Sequence, residues 1–165
     1  MAAVEIYAAL FVGFLAAAAI CDLRALRIPN ALTAAMAGLG PVAVWASIPV
    51  EGAVAGALLA GFATLAVTWC MFEMGWLGGG DAKLAAAAAL WLGGPATVAF
   101  ALATALFGAV LAALLLVLSR SQAARAVLGP TWGLRLGAER IAVPYAVAMA
   151  PAGLVALTIR LDGLL

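Results

Sequence analysis

The chain has 165 residues, of which 68% are hydrophobic and only 9% are charged, and its mean hydropathy is +1.24. Ordinary globular domains are roughly half apolar and a quarter charged, so this composition excludes a soluble globule and favours a protein embedded in lipid. The net charge of +1 excludes the basic surface of a nucleic-acid binder, and the absence of histidine excludes Ser-His-Asp and Cys-His mechanisms and the usual zinc sites.

Charge-free stretches define the predicted membrane spans, because a helix needs about twenty residues to cross roughly 30 Å of hydrocarbon. Residues 84–119 contain no charge but are too many for one span, and Gly93-Gly94-Pro95 divides them. The sequence therefore predicts an all-α integral membrane protein, a bundle of six transmembrane helices in a single domain of residues 1–165. The predicted spans are approximately residues 5–21, 31–48, 52–73, 81–94, 96–118 and 141–159.

The basic residues predict the orientation of this bundle. If the N-terminus is outside, the inner loops contain seven of the eight basic residues, and only Arg160 lies outside. That distribution is the positive-inside bias of membrane proteins. Residues 119–140 then form a cytoplasmic loop that mixes Arg with apolar residues, and we expect this loop to lie along the inner membrane surface.

Six spans in this orientation bring two aspartates to the same, cytoplasmic, boundary. Asp22 follows the first span and Asp81 begins the fourth. Residues 81–94 form only about 21 Å of helix, so either the membrane thins there or Asp81 lies below its surface, after a non-helical entry through residues 78–80. A charge within the bilayer costs at least ~2.5–3.5 kcal/mol, which makes an aspartate there a candidate functional residue.

Two neighbouring carboxylates can hydrolyse a peptide bond. Both cannot ionise cheaply within a few ångströms of each other, so one of them is expected to hold a proton at neutral pH. The ionised member can take a proton from water, while the protonated member polarises the carbonyl and later donates to the leaving amine. Because this chemistry needs neither histidine nor a metal or cofactor, we expect no metal ion and no cofactor in this protein.

Three motifs resemble those of the type IV prepilin peptidase family. Residues 21–30, CDLRALRIPN, resemble the family's D-x-R-x-x-x-I-P-N signature. Residues 78–84, GGGDAKL, resemble its G-x-G-D-x-K-L signature, whose G-x-G-D core is shared with presenilin-type intramembrane aspartyl proteases. Val143-Pro144-Tyr145 resembles the P-Y element of its last span. The resemblance extends from about residue 5 to residue 157.

The resemblance implies that Asp22 and Asp81 are the catalytic pair of a membrane peptidase. Its substrate would be a prepilin or pseudopilin precursor, in which a short basic leader precedes a hydrophobic helix, and the leader would be cut at the cytoplasmic face of the bacterial inner membrane. Larger members also N-methylate the new terminus and have an extra region with paired cysteines. Because Cys21 and Cys70 form no such pairs, the chain resembles the minimal type that serves Flp or tight-adherence pili, without methyltransferase activity.

Residues beside the first aspartate have two interpretations each. Arg24 and Arg27 either orient Asp22 electrostatically or only follow the positive-inside bias. Pro29 and Asn30 match the signature, and in physical terms they predict a turn and an N-cap for the second helix.

The remaining candidate site residues lie near the second aspartate and the last span. Lys83 either helps to make Asp81 the base or extends to lipid headgroups. Glu73 is placed to interact with the basic leader, and Tyr145, beside Pro144 of the P-Y element, is placed to donate a hydrogen bond into the cavity or to face the boundary. The glycines of the signature, Gly78 and Gly80, allow another backbone to approach closely.

Two other classes of function are open at this point. Carboxylates in a membrane also serve as relays in proton- or ion-coupled transporters, but no acidic residue lies midway through a predicted span. A non-catalytic scaffold would bind pilins without shortening them. Within the family, a preflagellin or a pseudopilin is an alternative substrate.

Overall fold

The computed structural model of the chain describes residues 2–121 and 143–162. In these ranges 87% of the residues are helical and none is in a β-strand, so the predicted all-α class is confirmed for this part of the chain. The helices are α1 (Ala2–Ala25), α2 (Asn30–Ser47), α3 (Ala53–Glu73), α4 (Gly79–Leu92), α5 (Gly94–Arg120) and α6 (Tyr145–Asp162).

Each helix overlaps one predicted span, and their ends differ by four residues or fewer. Four of them, α1, α3, α5 and α6, are long and apolar enough to cross a membrane, as expected of an integral membrane protein. Neither α2 nor α4 meets that criterion, and α4 has only 14 residues. Six spans and the orientation of the bundle therefore stay predictions. Of the predicted cytoplasmic loop, Ser119 and Arg120 belong to α5, and residues 122–140 lie outside the described residues.

Two breaks between helices have a backbone cause. Leu26 follows the last residue of α1 and has a φ of 50°, a left-handed conformation that ends the helix and that side chains other than glycine rarely adopt. Gly93 separates α4 from α5 with a φ of 69°, and Pro95 then lies in the first turn of α5, where its missing N–H is not needed. The long charge-free run is therefore two helices.

The central helix of the bundle is α4, which contacts all five of the others. Every residue from Leu84 to Ala89 is buried, and so are Trp91 and Leu92. A helix that is apolar on all sides is a buried helix, and alanine side chains let neighbouring helices approach closely. The position of α4 places its first turn, with Asp81, at one end of the bundle.

An aromatic cluster joins the opposite end of α4 to α1 and α2. The ring of Trp91 lies 5.4 Å from that of Tyr7 and 5.9 Å from that of Phe11, measured between centroids. The Tyr7 hydroxyl donates to the Trp91 carbonyl, and Trp91 Nε1 donates to the Met36 carbonyl at 2.8 Å. Both polar groups of these buried rings are thus satisfied, which such rings require.

Two glycines of α2 test how closely this helix packs on Trp91. A Cβ at Gly40 would lie 2.9 Å from two ring atoms of Trp91, whereas a Cβ at Gly38 would meet nothing within 4 Å. We expect Gly40→Ala to lower the free energy of unfolding by about 1–3 kcal/mol, because the buried indole has to move. Gly38→Ala should leave stability unchanged or raise it slightly. Thermal unfolding in detergent measures both, and equal midpoints for the two variants would contradict this packing.

Candidate active site

Asp22 is a buried carboxylate in the last turn of α1, with 6% of its surface exposed. Its Oδ2 accepts a hydrogen bond of 3.0 Å from the backbone N–H of Ala146, in the first turn of α6. A carboxylate in so apolar a place needs such a donor, because burying a charge without a partner is costly. The end of α1 and the start of α6 therefore form one unit around this carboxyl group.

The start of α6 explains why the N–H of Ala146 is available. The first N–H groups of a helix have no partner within the helix, and Pro144, which is fully buried, precedes its first residue. Asp22 acts as the cap of α6 from another helix, and the positive end of the α6 dipole stabilises its negative charge. The P-Y element thus lies directly beside Asp22.

Asp81 is the third residue of α4 and is partly buried. Its carboxyl group interacts electrostatically with that of Asp22. The two groups are 59 positions apart in sequence, yet the fold brings them close enough to interact. Asp22 lies in the last turn of α1, and Asp81 lies in the first turn of α4.

The glycines before Asp81 leave room for its side chain. A Cβ at Gly78 would lie 2.8 Å from Asp81 Oδ2, a distance that real contacts do not show. A Cβ at Gly80 would lie 3.4 Å from Ile28 in the connection between α1 and α2, which is an ordinary contact. Gly78 is therefore the position where a side chain displaces the carboxylate.

Of the two alternatives for Asp81, the one with a non-helical entry through all three glycines is wrong. Gly78 is the N-cap of α4, and its carbonyl accepts from the N–H of Ala82 at 3.0 Å, so the helix begins at Gly79 and includes Gly80. Only Gly78 lies outside the helix. The hydrogen bond between the Ala82 N–H and the Gly78 carbonyl closes the first turn around Gly79 and Gly80, despite the low helix propensity of glycine.

The predicted N-cap role of Asn30 is also wrong. Pro29 is the N-cap of α2, with an extended backbone and no side-chain capping bond, and Asn30 is the first residue of the helix. The Asn30 side-chain oxygen instead accepts a 3.1 Å hydrogen bond from Lys83 Nζ. The Asn30 side chain thus joins α2 to α4. Lys83 is two residues from Asp81, so it lies on another face of α4.

The other candidate residues lie around this end of the bundle. Arg24, Arg27 and Glu73 are exposed. Tyr145 is half-buried, and its ring packs on α5, where a Cβ at Gly108 would lie 3.0 Å from Cε1. Their roles in binding or orientation stay predictions.

Two contributors to the site were not predicted from the sequence. One is the backbone N–H of Ala146, for which a proline before a helix start is a usable signal. The other is Thr68 of α3, whose hydroxyl lies 3.3 Å from the carbonyl of Ala82, next to Asp81. A lone threonine in an apolar helix gives no such signal. Among residues 2–121 and 143–162, no group of three His, Cys, Asp or Glu side chains is placed to hold a metal ion.

Comparison with known proteins gives one match. The sequence model of the type IV leader peptidase family matches residues 9–113, which include Asp22, Asp81, most of α1 and all of α2, α3 and α4. Curated proteins gave no significant match, and neither did solved structures. Since the match covers more than half of the sequence, this chain belongs to the type IV leader peptidase family.

Proposed function

We propose that this peptidase is of the aspartic type and removes the basic leader of Flp-type prepilins at the cytoplasmic face of the inner membrane. The family supports a leader peptidase acting on pilin precursors. The aspartic mechanism is supported by the packing of the first turn of α4, with Asp81, beside the end of α1, with Asp22: Gly80 lies against Ile28, and the two carboxyl groups are close enough to interact. We expect this protein not to N-methylate the new amino terminus.

In this mechanism Asp22 is the general base. The Ala146 N–H and the N-terminal end of α6 stabilise its negative charge, so it is the member that remains ionised. Asp81 then holds the shared proton. Asp22 takes a proton from the attacking water, while Asp81 polarises the scissile carbonyl and donates its proton to the leaving amine. The products are a free leader and a mature pilin with a new amino terminus.

The positions of the other acidic residues favour hydrolysis over ion transport. Glu5 lies in the first turn of α1, Glu51 lies between α2 and α3, Glu73 ends α3 and Asp162 ends α6. Among the described residues, no carboxylate therefore lies midway along a helix, where a proton relay across the bilayer would need one.

Replacing either carboxylate tests the mechanism. We expect Asp22→Asn and Asp81→Asn each to lower the rate of prepilin processing at least a hundredfold, because an amide neither accepts the proton of water nor supplies one to the amine. Asp162→Asn is the matched control, since this aspartate is exposed at the far end of α6. Purified protein in detergent, mixed with a Flp-type prepilin, gives the rates by gel mobility. Processing at the normal rate by both site variants would refute the proposal.

A second prediction concerns the room that Gly78 provides. Gly78→Ala places a methyl group 2.8 Å from Asp81 Oδ2, which is too close for a real contact, so the carboxylate has to move. We expect processing to fall at least about tenfold, equivalent to ~1.4 kcal/mol of activation free energy. Gly80→Ala, whose methyl group meets Ile28 at an ordinary distance, should lower the rate less. The reverse order in the same assay would show that Gly78 does not position Asp81.

A further inference from the structure

A long apolar groove lies between α3 and α5. The main partner of α3 is α4, whereas the main partner of α5 is α6, and the two helices diverge from each other. The space between them has a volume of about 700 Å³. Alanines of both helices line it, among them Ala63 and Ala105, together with Ala85 of α4 and Met149 of α6. We call this space the α3–α5 groove.

One end of the α3–α5 groove is lined by residues that adjoin the two aspartates, although neither aspartate lines it. Tyr145 lines the groove, and the N–H of the next residue binds Asp22. Thr68 also lines it, and its hydroxyl lies within hydrogen-bond distance of the carbonyl that follows Asp81. Ala85 is four residues after Asp81 and therefore lies on the same face of α4. The α3–α5 groove thus leads along α4 to the face that carries Asp81.

A second groove, of about 500 Å³, lies on the other side of α3, against α2. Its lining includes Lys83 and Ala87, which are four residues apart on α4. It therefore follows the face of α4 that carries Lys83 rather than Asp81. A segment bound there would be led to an ammonium group and away from the carboxylates. This difference favours the α3–α5 groove as the route to the site.

The dimensions of the α3–α5 groove fit one face of a helix. Its lining runs along α3 from Ala60 to Met71 and along α5 from Gly94 to Ala109, about 17 and 22 Å at the usual rise. The groove is open along one side, and a helix with its side chains is about 10 Å wide. Such a helix would lay one face between α3 and α5 and leave its other face toward lipid. Small alanine side chains permit that close approach.

One hydroxyl of the groove has no partner. Thr104 Oγ1 is buried and lacks a hydrogen bond within the described part of the chain, and Thr104 lines the α3–α5 groove. Buried hydroxyls normally have a partner, even in apolar surroundings. Because the oxygen is inaccessible in this structure, the Thr104 side chain has to rotate before a polar atom of an occupant can bind it.

The charged residues near the two grooves also favour the α3–α5 groove. Glu73 is exposed at the end of α3, two residues beyond Met71 of the groove lining. A basic segment that leaves this end of the α3–α5 groove would pass the end of α3, where Glu73 is exposed, whereas one in the second groove would pass Lys83, which lines it. The end of the α3–α5 groove next to the carboxylates therefore suits an occupant that is apolar along its helix and basic before it.

We propose that the α3–α5 groove binds the hydrophobic helix of the precursor on one face, with its leader end at Asp22 and Asp81. This proposal rests on the proposed function, because only a leader-bearing precursor has an apolar helix that begins where the cut is made. It adds the binding surface of the substrate and the side of α4 from which the substrate enters.

Photocrosslinking at two neighbouring positions of α5 tests the groove. A benzoylphenylalanine replaces either Ala105, which lines the groove, or Leu106, which is 64% exposed and lines neither groove. Both are made in full-length Asp81→Asn protein in lipid vesicles, so that a Flp-type prepilin binds without being cut. We expect a covalent adduct with the prepilin from position 105 and at least fivefold less from position 106.

Kinetics on the active protein give a second readout. Ala105→Trp fills part of the α3–α5 groove, so we expect KM for the prepilin to rise severalfold while kcat changes less than twofold. Leu106→Trp should leave both constants unchanged. Equal unfolding temperatures of the two variants establish that the difference comes from binding.

Three results would contradict substrate binding in the α3–α5 groove without contradicting the proposed function. The first is equal prepilin adducts at positions 105 and 106, the second is adducts only with lipid or with another part of this chain, and the third is an unchanged KM in Ala105→Trp. Each result counts only if the unsubstituted protein of the same preparation processes the prepilin. If the unsubstituted protein fails to process any prepilin, both the groove and the proposed function are wrong.

Discussion

The site depends on the burial of one carboxylate in an apolar bundle. Asp22 is almost inaccessible, and the surrounding helices contribute mostly alanine and other apolar side chains. An aspartate in such a place is stable only where a donor meets it, and the start of α6 supplies that donor through the N–H of Ala146. The first turn of the last helix and the last turn of the first helix are therefore mutually dependent. Movement of either turn away from the other would break the hydrogen bond between the Ala146 N–H and Asp22 Oδ2.

The shortness and the alanine content of α4 bring the second carboxylate to the same place. α4 has only 14 residues and contacts all the other described helices, and its first turn, with Asp81, is partly buried. Gly78 then gives Asp81 the space in which its carboxyl group lies. The far end of the helix is held by Trp91, which is bonded to α1 and α2, so the position of Asp81 along the bundle axis is fixed from both ends.

The sequence predicts the helices well because its charges are few. The longest charge-free segment, residues 84–119, contains parts of two helices, and each of the others overlaps one helix. The break at Gly93 follows from glycine and proline chemistry. The sequence also singles out the two aspartates. It does not predict that an N–H of α6 meets Asp22, because that contact depends on how the helices pack.

Residue preferences for helix starts also give wrong predictions here, because contacts between helices decide the outcome. Asn30 is a favourable N-cap by residue type, but its side chain bonds Lys83 of another helix, and Pro29 takes the capping position. Gly79 and Gly80 are poor helix formers, yet they are helical because α4 is fixed by its packing. In both cases tertiary contacts outweigh local preference. The α3–α5 groove has no sequence signal at all, since alanines of a groove and alanines of a packed interface look alike.

The proposed mechanism requires that the carboxyl groups of Asp22 and Asp81 occupy one site. The direct test is a cysteine pair, Asp22→Cys with Asp81→Cys, in a chain whose own cysteines are replaced by Cys21→Ser and Cys70→Ser. A short bifunctional thiol reagent, applied to the protein in membranes, should join the two within one molecule and shift its gel mobility. The control pair, Asp22→Cys with Asp162→Cys, has its members at opposite ends of the bundle and should not be joined. If both thiols of the first pair react with a monofunctional reagent but are never joined, the two aspartates do not form a common site.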